Sequence, residues 1–328
     1  MNKINVLSFL FALIIMSSCK KESPTIITES LVRKHIETLA SDVMEGRKSG
    51  TPGIEKAAKY IESEFKRIGL EVYEGMDSYR QNFMYKEMEL SNVIGYLPGK
   101  NKKDELVIIS AHYDHLGIKE NGTGDLIFNG ANDNASGTSA VLALAEYWAK
   151  KDDNERSILF VAFTAEELGL VGSNYFGTMV NPNEIVAGIN IEMIGKESSY
   201  GPKTAWLSGF DRSDFGEIVQ ENVEGSDFKV YPDPYYPDFN LFFRSDNAAL
   251  ALLGVPAHTF STSPPDDKDY HKVSDEAETL NVANITETIR IIALGTSSII
   301  YGTDTPTRVQ LSEIEKEQFK KMLEKHTK

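Results

Sequence analysis

Two short segments concentrate side chains of the kind that bind metal ions. His112, Asp114 and His115 lie in the string Ala-His-Tyr-Asp-His, and Asp133 lies in Gly-Ala-Asn-Asp-Asn-Ala-Ser-Gly. Imidazole and carboxylate groups are common zinc ligands. Either segment alone could also be an ordinary hydrogen-bonded turn, because Asn, Asp and Gly are frequent turn residues. The choice between a site and a turn therefore depends on the rest of the chain.

Further acidic and imidazole side chains come directly after apolar, strand-like runs or after the loop that follows such a run. These side chains are Glu166, Glu167, Glu192 and His271. In open α/β sheets, ligands bind in the crevice at the carboxyl ends of the strands. We therefore expect these four residues to converge with His112 and Asp133 in one site.

Two histidines and three carboxylates form a ligand set that suits zinc, with cobalt or manganese as substitutes. A catalytic single-zinc site keeps about three protein ligands, so a larger set favours two metals that share a carboxylate about 3.5–4 Å apart. A bridging Asp suits that distance. Of the adjacent Glu166 and Glu167, one can bind metal while the other takes a proton. The alternative for this pair is a solvated helix start.

The site residues require a scaffold of strands alternating with helices. Apolar, strand-like runs cover residues 106–111, 157–163, 185–191 and 255–260, with helical patterns between them. The pattern predicts an α/β fold, a three-layer αβα sandwich with a central, mostly parallel mixed sheet. One further helical pattern begins at Thr28 and ends near Gly46, and a second covers residues 53–69. Strands are predicted within residues 72–98.

The N-terminus indicates export. Residues 1–18 have a short apolar core that is typical of a signal peptide, and Met-Ser-Ser-Cys resembles a bacterial lipobox with Met16 where Leu is usual. Cys19, the single cysteine, is the predicted lipid acceptor; the alternative is an unmodified thiol near a cleavage site. We predict a tether over residues 19–27, the main domain over 28–303 and a C-terminal helical appendage over 304–328.

Charge and apolar runs limit the partners. The formal net charge is −15, and it becomes −16 without residues 1–18. A field of this sign disfavours nucleic acid and anionic membranes. No second apolar run reaches the ~20 residues of a spanning helix. We therefore expect a protein held by its lipid to the bacterial outer membrane, on the periplasmic face or the cell surface; Cys-Lys-Lys-Glu after the cleavage site is similar to surface-export signals of Bacteroidetes lipoproteins.

Five ordered motifs carry a family resemblance over roughly residues 30–300. The chain resembles the M28 peptidase family of co-catalytic zinc aminopeptidases in the following strings: Ala-His-Tyr-Asp-His, Gly-Ala-Asn-Asp-Asn-Ala-Ser-Gly, Ala-Glu-Glu-Leu-Gly-Leu-Val-Gly-Ser, Asn-Ile-Glu-Met-Ile-Gly and Tyr-His-Lys-Val-Ser-Asp. The resemblance implies two Zn²⁺ per chain, with each role assigned as follows: His112 and Glu192 bind one zinc, Glu167 and His271 bind the other, Asp133 bridges them, Glu166 is the general base, and Asp114 orients His112. It also implies a cis peptide bond between Asp133 and Asn134.

The implied activity is hydrolysis of N-terminal peptide bonds of peptide substrates, with a metal-bridging water and a Glu general base. One alternative is an acyl transferase similar to glutaminyl cyclase, which works with one zinc. Another is a non-catalytic binding protein, similar to the protease-like domain of the transferrin receptor, which the retained ligand positions disfavour.

Some residues depart from the family pattern or stay open. Glu192 stands where many members have Asp, and Asn247 stands where the family usually has His. His115 and His258 are interpreted as structural residues. The aromatic residues of segment 225–243 either line a pocket or pack within their loop, and nothing in their spacing selects Tyr235 or Tyr236 as a hydrogen-bond donor in the reaction.

Overall fold

A computed structural model describes residues 26–326. The predicted signal peptide, Cys19 and most of the predicted tether lie outside the described residues. The strands are β1 (Arg80–Tyr85), β2 (Met88–Leu97), β3 (Lys102–His112), β4 (Gly117–Ile118), β5 (Ile127–Phe128), β6 (Arg156–Phe163), β7 (Ile185–Ile191), β8 (Thr204–Leu207), β9 (Lys229–Pro232) and β10 (Ala257–Ser261). The helices are α1 (Glu29–Leu39), α2 (Pro52–Ile68), α3 (Ser136–Lys151), α4 (Val171–Met179), α5 (Phe215–Val223), α6 (Asn247–Ala251), α7 (Val282–Gly295), α8 (Ser297–Ile300) and α9 (Glu313–His326).

Within residues 26–326, eight strands form one mixed sheet in the order β1-β2-β6-β3-β7-β10-β8-β9. The centre is parallel, since β3 pairs in parallel with both β6 and β7, and β7 with β10. Strands β1, β2 and β8 supply the antiparallel pairings. The predicted fold class, a central mixed and mostly parallel sheet, is confirmed.

Both faces of the central strands are buried, which gives the three layers. Val107 and Ile109 of β3 point into a core with α1, α3 and α7, whereas Ile108 between them packs with Phe176 of α4 and Leu250 of α6. Successive strand residues face opposite sides of a sheet. A strand covered on both sides therefore reads as a continuous aliphatic run, as residues 106–111 do.

The element ends differ from the sequence expectation in two instructive places. Thr28 caps α1 as predicted, accepting from the Leu31 amide at 3.2 Å, but the helix ends at Leu39 and not near Gly46. A separate 3₁₀ segment, Asp42–Arg47, follows, and it is kinked by left-handed backbone at Glu45 and Gly46. The strand predicted over residues 255–260 runs from Ala257 to Ser261.

The C-terminal helix packs on the domain. Phe319 of α9 is 3% exposed and joins a small core with Phe242, Phe243 and Leu170. Glu315 also contacts the Arg212 guanidinium at 2.7 Å. Among the described residues, no helix combines the length and the apolar composition needed to cross a bilayer.

Candidate metal centre

Three neighbouring parallel strands bring the predicted site together at one edge of the sheet. His112 is the last residue of β3 and lies beside Phe163, the last residue of β6. Glu192 follows the final residue of β7. Because β6, β3 and β7 run in parallel, their carboxyl ends open onto the same crevice. The side chains that follow these strands therefore meet as the sequence indicated.

The first group of possible ligands surrounds the imidazole of His112. Its Nε2 lies 3.1 Å from Glu192 Oε1 and 3.3 Å from Asp133 Oδ1. Its Nδ1 lies 3.2 Å from the backbone carbonyl of Asp114. A proton on Nδ1 can be donated to that carbonyl, which leaves the Nε2 lone pair for a metal ion. Two carboxylate oxygens and one imidazole nitrogen thus face a common point.

The second group uses the other oxygen of Asp133. His271 Nε2 lies 3.1 Å from Asp133 Oδ2 and 3.2 Å from Glu167 Oε2. Although these contacts are short, this buried nitrogen makes no hydrogen bond of acceptable geometry within the described residues. Buried polar atoms are normally satisfied. A nitrogen aimed between two carboxylate oxygens is the arrangement that a bound cation would satisfy.

Asp133 therefore belongs to both groups, with Oδ1 in the first and Oδ2 in the second. Each group offers three protein donors, the number that catalytic zinc sites use while keeping an open position. The donor set fits two zinc ions that share a carboxylate.

His115 lies closer to the second group than the sequence suggested. Its Nδ1 is 2.9 Å from Glu167 Oε1 and 3.9 Å from Asp133 Oδ2, so His115, Asp133 and Glu167 also cluster closely enough to hold an ion. His271 is close to oxygens of both acids, whereas His115 approaches only Glu167 closely. His115 holds the oxygen of Glu167 that faces away from His271. The signal for this residue was its place in the Ala-His-Tyr-Asp-His string.

The turn that carries Asp133 is held from below by Asp275. One carboxylate oxygen of Asp275 accepts from the Asn132 amide at 2.9 Å, and the other accepts from the Asp133 amide at 3.0 Å. Gly130 has a left-handed φ of 53°, and a Cβ there would come within 2.4 Å of the Asp133 carbonyl oxygen. Only glycine fits this position without displacement. The peptide bond between Asp133 and Asn134 is cis, as expected.

Other polar residues fix the remaining ligands. Ser245 Oγ donates to Glu192 Oε2 at 2.7 Å, which leaves Oε1 for the first group. Asp114 accepts from the Glu166 and Glu167 amides at 3.1 Å and 3.4 Å. Its carboxylate lies 3.6 Å from His112 Nδ1, so Asp114 connects the end of β3 to the loop after β6.

Dense charge shifts the acid–base behaviour of the site. Burial lowers the pKa of His271, but Asp133 and Glu167 outweigh burial and raise that pKa to about 10. Burial also raises the pKa of Asp133, but His112 and His271 bring it well below its usual range. For Glu166, burial and then the neighbouring Glu167 raise the pKa well above the usual range, against the opposing effect of His112.

Backbone strain accompanies these positions. Ala165, Met193 and His271 have left-handed φ values of 56°, 47° and 55°. Residues with a side chain rarely adopt this region, at a cost of about 1–3 kcal/mol each. Ala165 precedes Glu166, Met193 follows Glu192, and His271 itself carries one of the imidazole groups of the site. The fold therefore accepts strain where it aims the site side chains.

Two cavities adjoin the metal centre. The first holds about 70 Å³ and opens beside Asp133 and Glu192; its apolar wall consists of Met193, Trp206, Leu241 and Pro265. The second holds about 370 Å³ and opens beside Glu167 and His271. Glu166, Arg244 and Tyr270 line both cavities.

The aromatic residues at the site are not those that the sequence offered. Tyr235 packs its ring against Trp206 and Phe239, at 6.0 Å and 6.3 Å between centroids, and Tyr236 lines a separate cavity. Tyr270 lines both site cavities instead, and its ring stacks on His271 at 3.9 Å. Its place next to His271 in the Tyr-His-Lys-Val-Ser-Asp motif was the available signal.

Asn247 and His258 have structural contacts. Asn247 is buried; its amide donates to the Phe242 carbonyl at 2.9 Å and accepts from Thr259 Oγ1 at 2.8 Å. His258 is also buried, and burial lowers its pKa to about 4. The structural interpretation of His258 agrees with these surroundings.

Comparison with known proteins gives consistent matches. The family model described as Peptidase family M28 matches residues 92–295. Aminopeptidase YwaD of Bacillus subtilis is 36% identical over 204 residues, which cover 57% of this chain and 40% of that protein. The chain thus spans less than half the length of the curated relatives it matches.

Solved structures match over most of the chain. The zinc aminopeptidase BSAP from Bacillus subtilis superposes with a TM-score of 0.69 at 16% identity, covering 89% of this chain and all (100%) of that chain. The glutaminyl cyclase of Porphyromonas gingivalis superposes with a TM-score of 0.64 at 15% identity, covering 83% of this chain and 99% of that one. At these identities the likeness concerns the fold alone, and the fold is common to both proteins.

Proposed function

Because the chain belongs to peptidase family M28, we propose that it is a zinc-dependent aminopeptidase that hydrolyses N-terminal peptide bonds. The observation that carries the proposal is the division of Asp133 between two ligand groups, Oδ1 beside His112 and Oδ2 beside His271. The name of the matched relative, an aminopeptidase, supports the same assignment.

We assign two zinc ions per chain. His112 and Glu192 would hold the first ion, Glu167 and His271 would hold the second, and Asp133 would contribute one oxygen to each group. The Nε2 of His271 makes no hydrogen bond among the described residues, and it lies 3.1 Å and 3.2 Å from oxygens of Asp133 and Glu167. This grouping of three donor atoms supports occupancy of the second site. Zinc supplies Lewis acidity toward the scissile carbonyl and lowers the pKa of water.

Glu166 is the general base. It is partly buried, lines both cavities and lies next to the ligand Glu167, so a peptide bond at the junction of the cavities lies within its reach. In the metal-free protein, burial and then the neighbouring acids raise the pKa of Glu166 and favour its protonated form. Positive charge at the ligand groups favours the carboxylate form instead. Glu166 then takes a proton from the attacking water and returns it to the leaving amine.

The lining of the first cavity determines which substrate side chain can bind in it. Met193, Trp206 and Leu241 give it an apolar wall, and its volume of about 70 Å³ is small. An apolar side chain at the N-terminus of a peptide matches this wall by burial of apolar surface. The polar second cavity receives the leaving portion. We therefore expect removal of single apolar N-terminal residues.

The test is a screen of zinc-loaded protein against aminoacyl fluorogenic substrates, with metal content measured on the same sample. Release of free amino acids by protein that holds two zinc ions is the expected result. Pyroglutamate formation from N-terminal glutamine, with one zinc per chain, would replace the proposal with the cyclase alternative. Two bound zinc ions without turnover of any substrate would favour a binding protein.

We also propose that Cys19 is lipidated and that the protein is anchored to the outer membrane. The support is the signal-peptide pattern of residues 1–18 and the lipobox resemblance. Metabolic labelling with a radioactive fatty acid should mark the wild type and not a Cys19→Ser variant. Equal labelling of the two proteins, or none, would refute the anchor.

A further inference from the structure

Arg244 occupies the wall between the two cavities of the metal centre. It shares this wall with Glu166 and Tyr270 and lines both cavities. It is the single Lys or Arg side chain among the described residues that line either cavity. Its position therefore places a permanent positive charge beside the bond that Glu166 would help to hydrolyse.

The guanidinium of Arg244 has unused hydrogen-bonding capacity. The side chain is exposed, and within residues 26–326 it forms neither an ion pair nor a side-chain hydrogen bond. This is unusual in a chain of net charge −15, where most guanidinium groups can find an acid. An arginine has five N–H donors in a planar fork that matches a carboxylate.

The backbone at Arg244 is fixed, although its side chain has no partner among the residues that the structure describes. Its amide donates to the Leu241 carbonyl at 3.0 Å. The next residue, Ser245, is held between Glu192 and the Asn190 amide, with both contacts at 2.7 Å. The segment that carries Arg244 is thus tied directly to the first ligand group. A rigid base with a free guanidinium suits the recognition of a ligand.

We propose that Arg244 binds a carboxylate on the residue that follows the scissile bond, so that dipeptides are the preferred substrates. This inference rests on the proposed function. When the N-terminal side chain fills the first cavity, the leaving residue lies toward the second, polar cavity, on the other side of the Arg244 wall. In a dipeptide that residue carries the α-carboxylate. An acidic side chain on the same residue offers the same chemistry.

The experiment compares three substrates with the zinc-loaded full chain. Leu-Ala carries the α-carboxylate, Leu-Ala amide lacks it, and Leu-Asp amide carries a side-chain carboxylate instead. The readout is the ratio of kcat/KM values within one protein, because a ratio cancels differences in active fraction. A charge-assisted hydrogen bond corresponds to a preference of about 10- to 100-fold for Leu-Ala over its amide.

Variants assign the preference to the guanidinium. Arg244→Met keeps the length and apolar stem of the side chain but removes the charge, and we expect its ratio to fall to about 1. Arg244→Lys should keep part of the preference, since an ammonium retains the charge without the fork. Arg33→Met is the matched control, because Arg33 is an exposed arginine of α1 that lies outside both cavities; it should keep the wild-type ratio.

Each outcome of this experiment either supports or overturns the proposed role of Arg244. A wild-type ratio near 1, or an undiminished ratio in Arg244→Met, overturns the role of Arg244 while leaving the aminopeptidase assignment intact. Faster cleavage of Leu-Asp amide than of Leu-Ala amide, lost in Arg244→Met, shows that a side-chain carboxylate also binds. Cleavage of none of the three substrates by the wild type overturns both this inference and the proposed function.

Discussion

Replacement of the buried Arg47 should destabilise the domain more than replacement of any surface arginine. Its guanidinium donates to four backbone carbonyls, those of Leu39, Asn129, Gly130 and Tyr113, at 2.6, 2.6, 2.9 and 2.9 Å. Tyr113 follows the ligand His112, and Gly130 begins the turn of Asp133. Arg47 therefore ties the backbone of two ligand segments to the end of α1.

The size of the effect follows from the carbonyls that lose their partner. The Gly130 carbonyl keeps a bond from the Ala135 amide at 3.1 Å, so those of Leu39, Asn129 and Tyr113 are left unsatisfied. Each buried acceptor left unsatisfied costs about 1–3 kcal/mol, which gives about 3–9 kcal/mol for three. Relief of the cost of burying a guanidinium, which lowers the pKa of Arg47 to about 10, offsets part of this loss. We expect Arg47→Met to lose at least about 2 kcal/mol of the free energy of unfolding. The whole free energy of unfolding of a domain is about 5–15 kcal/mol.

The assay is urea denaturation of metal-free protein, so that zinc binding does not contribute to stability. Arg308→Met is the matched control: Arg308 also donates to two backbone carbonyls, at 2.8 Å and 3.3 Å, but is exposed. Water can replace those bonds, so its loss should stay below about 1 kcal/mol. If Arg47→Met lost no more stability than Arg308→Met, the argument from buried carbonyls would be refuted.

Three further predictions concern the site itself. Glu166→Gln should keep two zinc ions but lose about 10²- to 10⁴-fold in kcat, and unchanged peptidase activity would remove the general-base assignment. Asp275→Asn replaces one carboxylate oxygen with an NH₂ group, so that one of the two backbone amides that donate to Asp275 faces another donor. Chelator competition should then show that zinc binds about 10- to 100-fold more weakly, and wild-type zinc affinity would contradict the support role of Asp275. In the metal-free protein, the raised pKa of His271 contributes stability that is complete below about pH 6.5 and is lost as the pH rises toward 10. The melting temperature of wild type should therefore fall more steeply over that interval than that of His271→Asn, and parallel slopes would contradict the contribution.

Several site features could be predicted from the sequence because they depend on local pattern. Aliphatic runs marked the central strands, and parallel strands end at a common edge whatever their exact length. The sequence therefore predicts that His112 and Glu192 lie close together. The limits of elements were less predictable: α1 ends at Leu39, and a separate 3₁₀ segment with left-handed backbone at Glu45 and Gly46 replaces the last part of a helical pattern that looks continuous in the sequence.

The side chains at the carboxyl ends of the strands can be identified from the sequence, since strand period and apolar composition are encoded within a few residues. How those side chains contact one another depends on the tertiary structure. It divides the two oxygens of Asp133 between ligand groups, turns His115 toward Glu167, and leaves Arg244 between two cavities without a side-chain partner in the part of the chain that the structure describes. These contacts join residues far apart in the chain, and their geometry is fixed by the packing of loops that no local pattern records.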